Sequence, residues 1–447
     1  MDEIFHFPQT VHYCHGEWGV WDPKITTFPG LYVVGTAYAH GMEWISHVQI
    51  SAKAMFCSLA VLRSLNLLFG IGNALLIPRL RMMHEYSSDE GGIATLHGLM
   101  ISLFPVHVFC CFLYYTDPGA LFFVLLTVYF AQLGRRGRLR HGPLSAKNIA
   151  SVLSAFIAVG FRQTNIIWVL FAIGTEIVHD LETNHFAELY GSQMDEQTTY
   201  SYAKTLYSFV VLLVKEFRRV LRLFWPHISV VVAFAAFLVV NGSITVGDKS
   251  NHVATFHFTQ LAYFATIATA GFGISSLYPN TLLEFAQSVL VSLKHRFVLS
   301  MLCLILFSFA IFRFSVVHPF LLADNRHYTF YIWHRFFLKH KFMVLVPMPI
   351  YMFCIWYCWK QIRKTCSSLR ATVFFIATTL VLVPTPLVEP RYFIVPFVMY
   401  HIQTGKQSIG NLAMTAFVFT LVNAATIYVY LYRPFTWSDG TQARFMW

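Results

Sequence analysis

Three carboxylates, Asp2, Glu3 and Asp22, stand ahead of any long apolar stretch, in Met1-Asp2-Glu3-Ile4-Phe5-His6 and Trp21-Asp22-Pro23. A carboxylate at the water-facing edge of an apolar bundle can act as a general base if it comes within hydrogen-bond reach of the hydroxyl it deprotonates. At a membrane surface, such a hydroxyl belongs to the head group of a lipid-linked substrate. Position alone favours the plainer reading of Asp2 and Glu3, an acidic tail without a role. Asp22 precedes a proline, and Asp-Pro favours a turn that the aspartate can itself cap; capping and chemistry explain it equally well.

A second group lies far along the chain. The stretch 318–331, HPFLLADNRHYTFY, sets Asp324, Asn325, Arg326 and His327 among aromatic residues just after an apolar run. Arginine grips phosphate through a planar fork, and aromatic rings stack on sugar faces or lipid, so a phospho-sugar site would use these residue types. The competing reading is an interfacial aromatic belt with incidental charges. Arg391, in Glu389-Pro390-Arg391-Tyr392, and Arg162, beside Gln163, border apolar runs. Ionisable groups at membrane depth are costly and face a cavity or a partner. Arg391 therefore meets either a phosphate or Glu389, and Arg162 is either functional or a structural counter-ion.

The elements that must position these groups are apolar. Of 447 residues, 56% are hydrophobic and 12% charged, whereas a soluble chain carries about a quarter charged residues. The reading is an all-α, multi-pass membrane protein forming one domain over 1–447, with 1–50 as the first loop on the non-cytosolic side. About 20 apolar residues cross a bilayer. The clearest runs are 53–78, 97–115, 118–133, 226–241, 256–276, 297–314, 343–359, 368–384 and 411–432. Shorter ones lie at 148–160, 163–178 and 391–403, for roughly a dozen spans; residues 31–50 read as interfacial. No cleavable signal-peptide pattern is visible.

The net charge of +11 is spread between the spans, which marks topology rather than a nucleic-acid footprint. Arg79 with Arg81, the run Arg135 to Lys147, Lys215 to Arg222, Lys294 with Arg296, and Lys360 to Lys364 mark cytosolic loops. Alternation then puts 1–50, 116–118, 161–163, 242–255, 315–341 and 389–391 together on the opposite side, where the unusual polar residues collect. Eight cysteines are scattered, Cys57 among those inside apolar runs. Without CxxC or His/Cys ligand spacing, neither a disulfide framework nor a zinc site is expected. Cys354 and Cys358, one turn apart, read as packing. Asn241-Gly242-Ser243 is a glycosylation sequon pressed against the end of a span.

Together, MDEIFHFPQTVHYC, WDPKITTFPGLYVV, FRQTNIIW, VVNGSITVGD, LLADNRHYTFYIWHR, EPRYFIVP and RFMW resemble, in order and over the whole chain, the family of endoplasmic-reticulum α-1,2-glucosyltransferases. The resemblance implies a GT-C glycosyltransferase bundle in the endoplasmic-reticulum membrane with a luminal active site. Its donor would be dolichyl phosphate β-D-glucose, and its acceptor a dolichyl-diphosphate oligosaccharide already carrying two glucoses. A β donor giving an α product implies inversion by one in-line displacement. By the same resemblance, Asp2 is the general base, with Glu3 and Asp22 in reserve. Arg326, His327 and Arg391 face the donor phosphate, Asp324 holds Arg326, and Arg162 and Gln163 shape the luminal floor. No Asp-x-Asp motif is evident, and no metal or further cofactor is implied. Family members carry one more transmembrane helix before the MDEIFH motif, so that helix is expected to be missing here. The rival readings are a multispan transporter or channel-modulating protein, disfavoured because no paired Gly/Pro-broken segments recur in two halves, and a transferase using mannose.

Overall fold

The computed structural model describes residues 3–46, 56–84, 91–191, 199–248 and 254–447. It is nearly all helical, as a chain must be if its backbone polar groups are satisfied within single segments inside lipid. Among the described residues the only strands are Phe435–Thr436 and Gln442–Ala443, an antiparallel pair.

Each of the dozen expected spans falls on a helix, but not each is a span by length and composition. Six helical stretches are long and apolar enough among the described residues: Leu59–His84, Thr116–Leu133, Phe217–Asn241, Phe297–Phe314, Lys341–Ile362 and Ile409–Tyr432. A seventh would be Gly91–Ser102 with Pro105–Cys111, bent by 66°. Pro105 opens the second of these helices, where its missing N–H costs nothing, while it cannot continue the first. Ala146–Phe161, Ser368–Leu382, Thr259–Gly271 and Ile394–Ile402 have 16, 15, 13 and 9 residues. At about 1.5 Å per residue these fall short of a bilayer core of about 30 Å. Asn165–Asn184 is long enough, but its second half carries Glu176, Asp180 and Glu182.

The chain forms two compact units, each assembled from separated stretches: Met1–Leu76, Cys111–Asn251 and Cys366–Ala377 in the first, and Ile77–Cys110, His252–Thr365 and Thr378–Trp447 in the second. In the first, Thr116–Leu133 lies along Ala146–Phe161 and Asn165–Asn184, and Gly30–Ser46 packs on both Glu3–Cys14 and Ala146–Phe161. That last contact is backbone to backbone. A Cβ on Gly30 would sit 2.4 Å from the Gly160 carbonyl oxygen, whereas one on Gly41 meets nothing within 4 Å. Gly30→Ala should therefore force the helices apart at a cost of about 1–3 kcal/mol, lowering the unfolding temperature in detergent, while Gly41→Ala leaves it unchanged. Equal temperatures for the two variants would remove this contact from the account.

One sequence expectation is corrected here: Cys14 and Cys57 are joined in a disulfide across 43 residues. Cys57 lies just ahead of the Leu59–His84 helix rather than within a span, so it can meet the end of Glu3–Cys14. No spacing motif announces such a pair.

In the second unit, Thr259–Gly271 packs on Met348–Ile362 and Ile394–Ile402. The Arg81 side chain is fully buried and donates to the main-chain oxygens of His401, Ile402 and Thr404, at 2.7 Å for Ile402. It thus caps the C-terminal end of Ile394–Ile402, where a cation also complements the helix dipole. Away from that end, the Thr255 N–H donates to the Pro384 oxygen (3.0 Å) and the His257 N–H to the Val383 oxygen (2.9 Å). Gln260 Nε2 reaches the Leu387 oxygen at 3.0 Å. Leu321, Trp333 and Val388 pack in one cluster, which ties the 318–335 segment to the one ending in Glu389 and Arg391.

Candidate active site

In the first unit the polar segments ahead of and between the helices converge on one turn, residues 113–115. Glu3 is 7% exposed, and its carboxylate is gripped by Arg63, with Nε 2.8 Å from Oε1 and Nη2 2.6 Å from Oε2. The main-chain N–H of Tyr114 donates to Oε1 at 2.8 Å. Arg63 stands near the start of the Leu59–His84 helix. Three residues on, Asn66 donates to the Leu113 and Tyr115 oxygens at 2.6 and 2.8 Å, so one helix face fixes the turn twice. The Tyr114 hydroxyl lies 2.9 Å from Thr10 Oγ1 and donates to the Leu31 oxygen at 3.1 Å. Burial pushes that phenol well above its ordinary range, against a smaller lowering from Thr10, so it stays a neutral donor. His6 Nδ1 and the Tyr32 hydroxyl are 2.7 Å apart.

Glu3 is thus spent on structure. Both of its oxygens accept charge-assisted bonds from one guanidinium, whereas a base must offer a lone pair to the proton it removes. Glu3 anchors the beginning of its helix. Asp2 lies outside the described residues.

Asp22 is half-buried in a loop held from three sides. Its N–H donates to Gln9 Oε1 at 2.9 Å, and Gln9 Nε2 donates to the Val20 oxygen at 2.7 Å. Gln163 Nε2 donates to the Thr26 oxygen at 2.8 Å. The Asp248 N–H donates to the Pro23 oxygen at 2.7 Å. Gly247, at φ +69°, lets the 246–248 segment approach so closely that a Cβ there would meet the Pro23 and Ile25 carbonyl oxygens at 2.5 Å. Asp22 Oδ1 accepts the Lys24 N–H at 2.9 Å, the capping bond of an Asx turn. Arg162 is ion-paired with Asp117, which is buried. Of the residues expected to act, Glu3, Asp22, Arg162 and Gln163 therefore share this unit, with Gln163 bonded to the loop that carries Asp22.

In the second unit Asp324, Arg326 and His327 form one cluster. The Arg326 Nε lies 2.8 and 3.1 Å from the two Asp324 oxygens, and the Arg326 main-chain N–H donates to Oδ1 at 3.0 Å. His327 Nε2 is 3.5 Å from Asp324 Oδ2. Burial alone would raise the Asp324 pKa, but the bonds from the Arg326 side chain, His327 and the Arg326 main chain outweigh it and hold the carboxyl well below its usual range. A depressed carboxylate contributes its stability above its ordinary value of 3.8 and loses it only as pH falls through the depressed one, so this fork persists through neutral and mildly acid pH.

The same loop is clasped by the last residues described. The Met446 N–H donates to the Arg326 oxygen at 3.0 Å, and His327 Nδ1 lies 2.7 Å from the main-chain oxygen of Trp447. Trp437 Nε1 donates to Asn325 Oδ1 at 2.9 Å, and the Arg326 guanidinium sits 5.0 Å from the Trp437 ring centre. Residues 435–447 thus lie on the same side as the 324–327 loop. Arg391 is ion-paired with Glu389.

Sequence reasoning passed over Arg63, Tyr114 and Trp437. Arg63 carried a usable signal, as a base within the apolar first part of its helix that must find a partner. Ser438-Asp439-Gly440 between aromatic residues is a turn signal for the small hairpin that carries Trp437. Tyr114 meets Glu3 through its main-chain N–H, which no residue type advertises.

The family model described as the DIE2/ALG10 family matches residues 1–402. Over its full length the chain is 34% identical to a Rattus norvegicus protein named Dol-P-Glc:Glc(2)Man(9)GlcNAc(2)-PP-Dol alpha-1,2-glucosyltransferase, covering 93% of it. Proteins of the same name from Drosophila melanogaster and Arabidopsis thaliana are 34% and 32% identical, again over all of this chain, with 93% and 94% of their own lengths covered. No solved structure matches.

Proposed function

Because the chain belongs to the DIE2/ALG10 family, we propose that it is an inverting α-1,2-glucosyltransferase. It transfers glucose from dolichyl phosphate glucose to the diglucosylated oligosaccharide on dolichyl diphosphate. The observation that carries this reading is identity at about a third of positions over the whole chain with relatives of that name in animals and plants. Six candidate spans among the described residues agree with a substrate pair that is lipid-linked on both sides. The finer reading is a GT-C bundle of about a dozen spans in the endoplasmic-reticulum membrane, its active site on the luminal side. Several of the shorter helices would then cross partway or in pairs.

In the proposed mechanism Asp2 takes the proton from the acceptor 2-hydroxyl as that oxygen attacks glucose C1, and dolichyl phosphate departs from the opposite face. A positioned base of this kind contributes about 10²–10⁴-fold. Glu3, fixed by Arg63 and Tyr114, and Asp22, whose Oδ1 accepts the Lys24 N–H, are the alternative bases. Arg326, His327 and Arg391 are assigned to the donor phosphate, where oriented positive charge stabilises the developing anion. The pairing of Arg326 with Asp324 supports that role by setting the guanidinium plane before the donor arrives. Arg162 and Gln163 brace the floor of the site through Asp117 and Thr26. No metal or cofactor beyond the donor enters this scheme.

Expression in cells whose lipid-linked oligosaccharide stalls at two glucoses tests the reading. Chromatography should reveal the three-glucose species. Persistence of the two-glucose species, with the protein present in the membrane, would contradict it.

A further inference from the structure

Beside the Asp324–Arg326 cluster the second unit holds an open cavity of about 460 Å³ lined by Leu322, Ala323, Asn325, Phe330, Trp437, Ser438 and Asp439. Its size falls within the range of about 300–1,000 Å³ usual for small-molecule sites. We propose that this cavity is a glycan subsite, holding hexosyl residues of the acceptor oligosaccharide between Trp437, Phe330, Asn325 and Asp439. The proposal rests on the transferase reading above and specifies where that enzyme would grip its acceptor.

The lining has the composition that neutral sugars require. Sugar rings present C–H faces that lie against aromatic walls, here Trp437 and Phe330, and hydroxyls that need both donors and acceptors. Asn325 gives its Oδ1 to the Trp437 N–H at 2.9 Å, which points its amide donors elsewhere. Asp439 uses Oδ1 for the Thr441 N–H and hydroxyl, at 3.0 and 2.7 Å, and keeps Oδ2 for a ligand. Ser438 adds an exposed hydroxyl. These groups are preset, because the hairpin Phe435–Thr436 with Gln442–Ala443 and the Trp437–Asn325 bond lock the two walls together.

The same lining argues against the donor. Glucose in the donor is joined directly to phosphate, so a pocket holding it needs a cation within contact range. The cavity is lined by one carboxylate and by no Lys or Arg. The acceptor, in contrast, offers several uncharged hexoses remote from its diphosphate.

Steady-state kinetics on the whole protein in lipid nanodiscs, with dolichyl phosphate glucose and the diglucosylated lipid-linked acceptor, test the proposal. Trp437→Ala should raise the acceptor KM about tenfold, the loss expected for a stacked, hydrogen-bonded contact. Asp439→Asn keeps the turn-capping oxygen, and should raise the acceptor KM by about threefold or more. The donor KM should stay within about twofold in Asp439→Asn, which leaves the contact between Arg326 and Trp437 in place. If Trp437→Ala does not accumulate, Asp439→Asn decides alone. An unchanged acceptor KM, or donor and acceptor KM rising together in Asp439→Asn, would overturn the subsite while wild-type transfer still upheld the enzyme. Absence of transfer by the wild type would overturn the enzyme reading and the subsite with it.

Discussion

Asp2→Asn lowers glucosyl transfer by about 10²–10⁴-fold, the contribution of a positioned general base, while the protein accumulates in the membrane at the wild-type level. Asparagine keeps the shape of the side chain and removes its basicity, so the loss falls on kcat, with the acceptor KM nearly constant. The expectation rests on the proposal that Asp2 is the base, which the family resemblance implies. Both Glu3 oxygens accept from Arg63, and Oε1 also from the Tyr114 N–H. Asp117 is buried against Arg162. Asp22 has one oxygen committed to its own turn. Single-turnover assays on Asp2→Asn and Asp22→Asn, side by side, decide the assignment: full activity in the first and loss in the second would transfer the role to Asp22.

Arg63→Met has the largest expected effect on stability. It leaves the Glu3 carboxylate, 7% exposed, with a single main-chain donor, and breaking a buried pair from one side costs about 3–5 kcal/mol. The lower end applies, because the Arg63 side chain is itself 37% exposed and water relieves part of the loss. Removing both charges is cheaper than removing one, so Glu3→Gln with Arg63→Met should recover part of the thermal stability lost by Arg63→Met. Thermal unfolding monitored by size-exclusion in detergent reads both. A single variant as stable as the wild type, or a double variant worse than either single one, would show that the fork does not anchor this helix.

What the sequence disclosed and what it withheld follow from how far each signal reaches. Apolar runs located every helix that is long and apolar enough to span a bilayer among the described residues, because hydrophobicity is summed over a window of some 20 residues. Windows could not find the break at 103–104 or tell the 9-residue Ile394–Ile402 helix from a span, since both depend on where hydrogen bonding stops. Alternation of basic loops grouped 1–50, 116–118, 161–163 and 242–255, and in the first unit Gln9, Gln163 and Gly247 do bind these segments to one loop. The 324–327 cluster was legible because acid, amide, base and imidazole stand within four residues. Its clasp by 435–447 was not, for it joins segments 120 residues apart through main-chain atoms. The Cys14–Cys57 bond escaped for the same reason: 43 residues separate two cysteines whose proximity only the packed helices create.

The central claim is the transfer itself, and its most direct measurement uses the purified protein in sealed proteoliposomes with radiolabelled dolichyl phosphate glucose and the diglucosylated acceptor. Product is resolved by chromatography and its linkage read by an α-1,2-specific glucosidase. The account predicts one labelled glucose per acceptor, released by that enzyme, with dolichyl phosphate mannose unused. Mannose transfer, or substrate-driven flux across the bilayer without any glycosidic product, would contradict it.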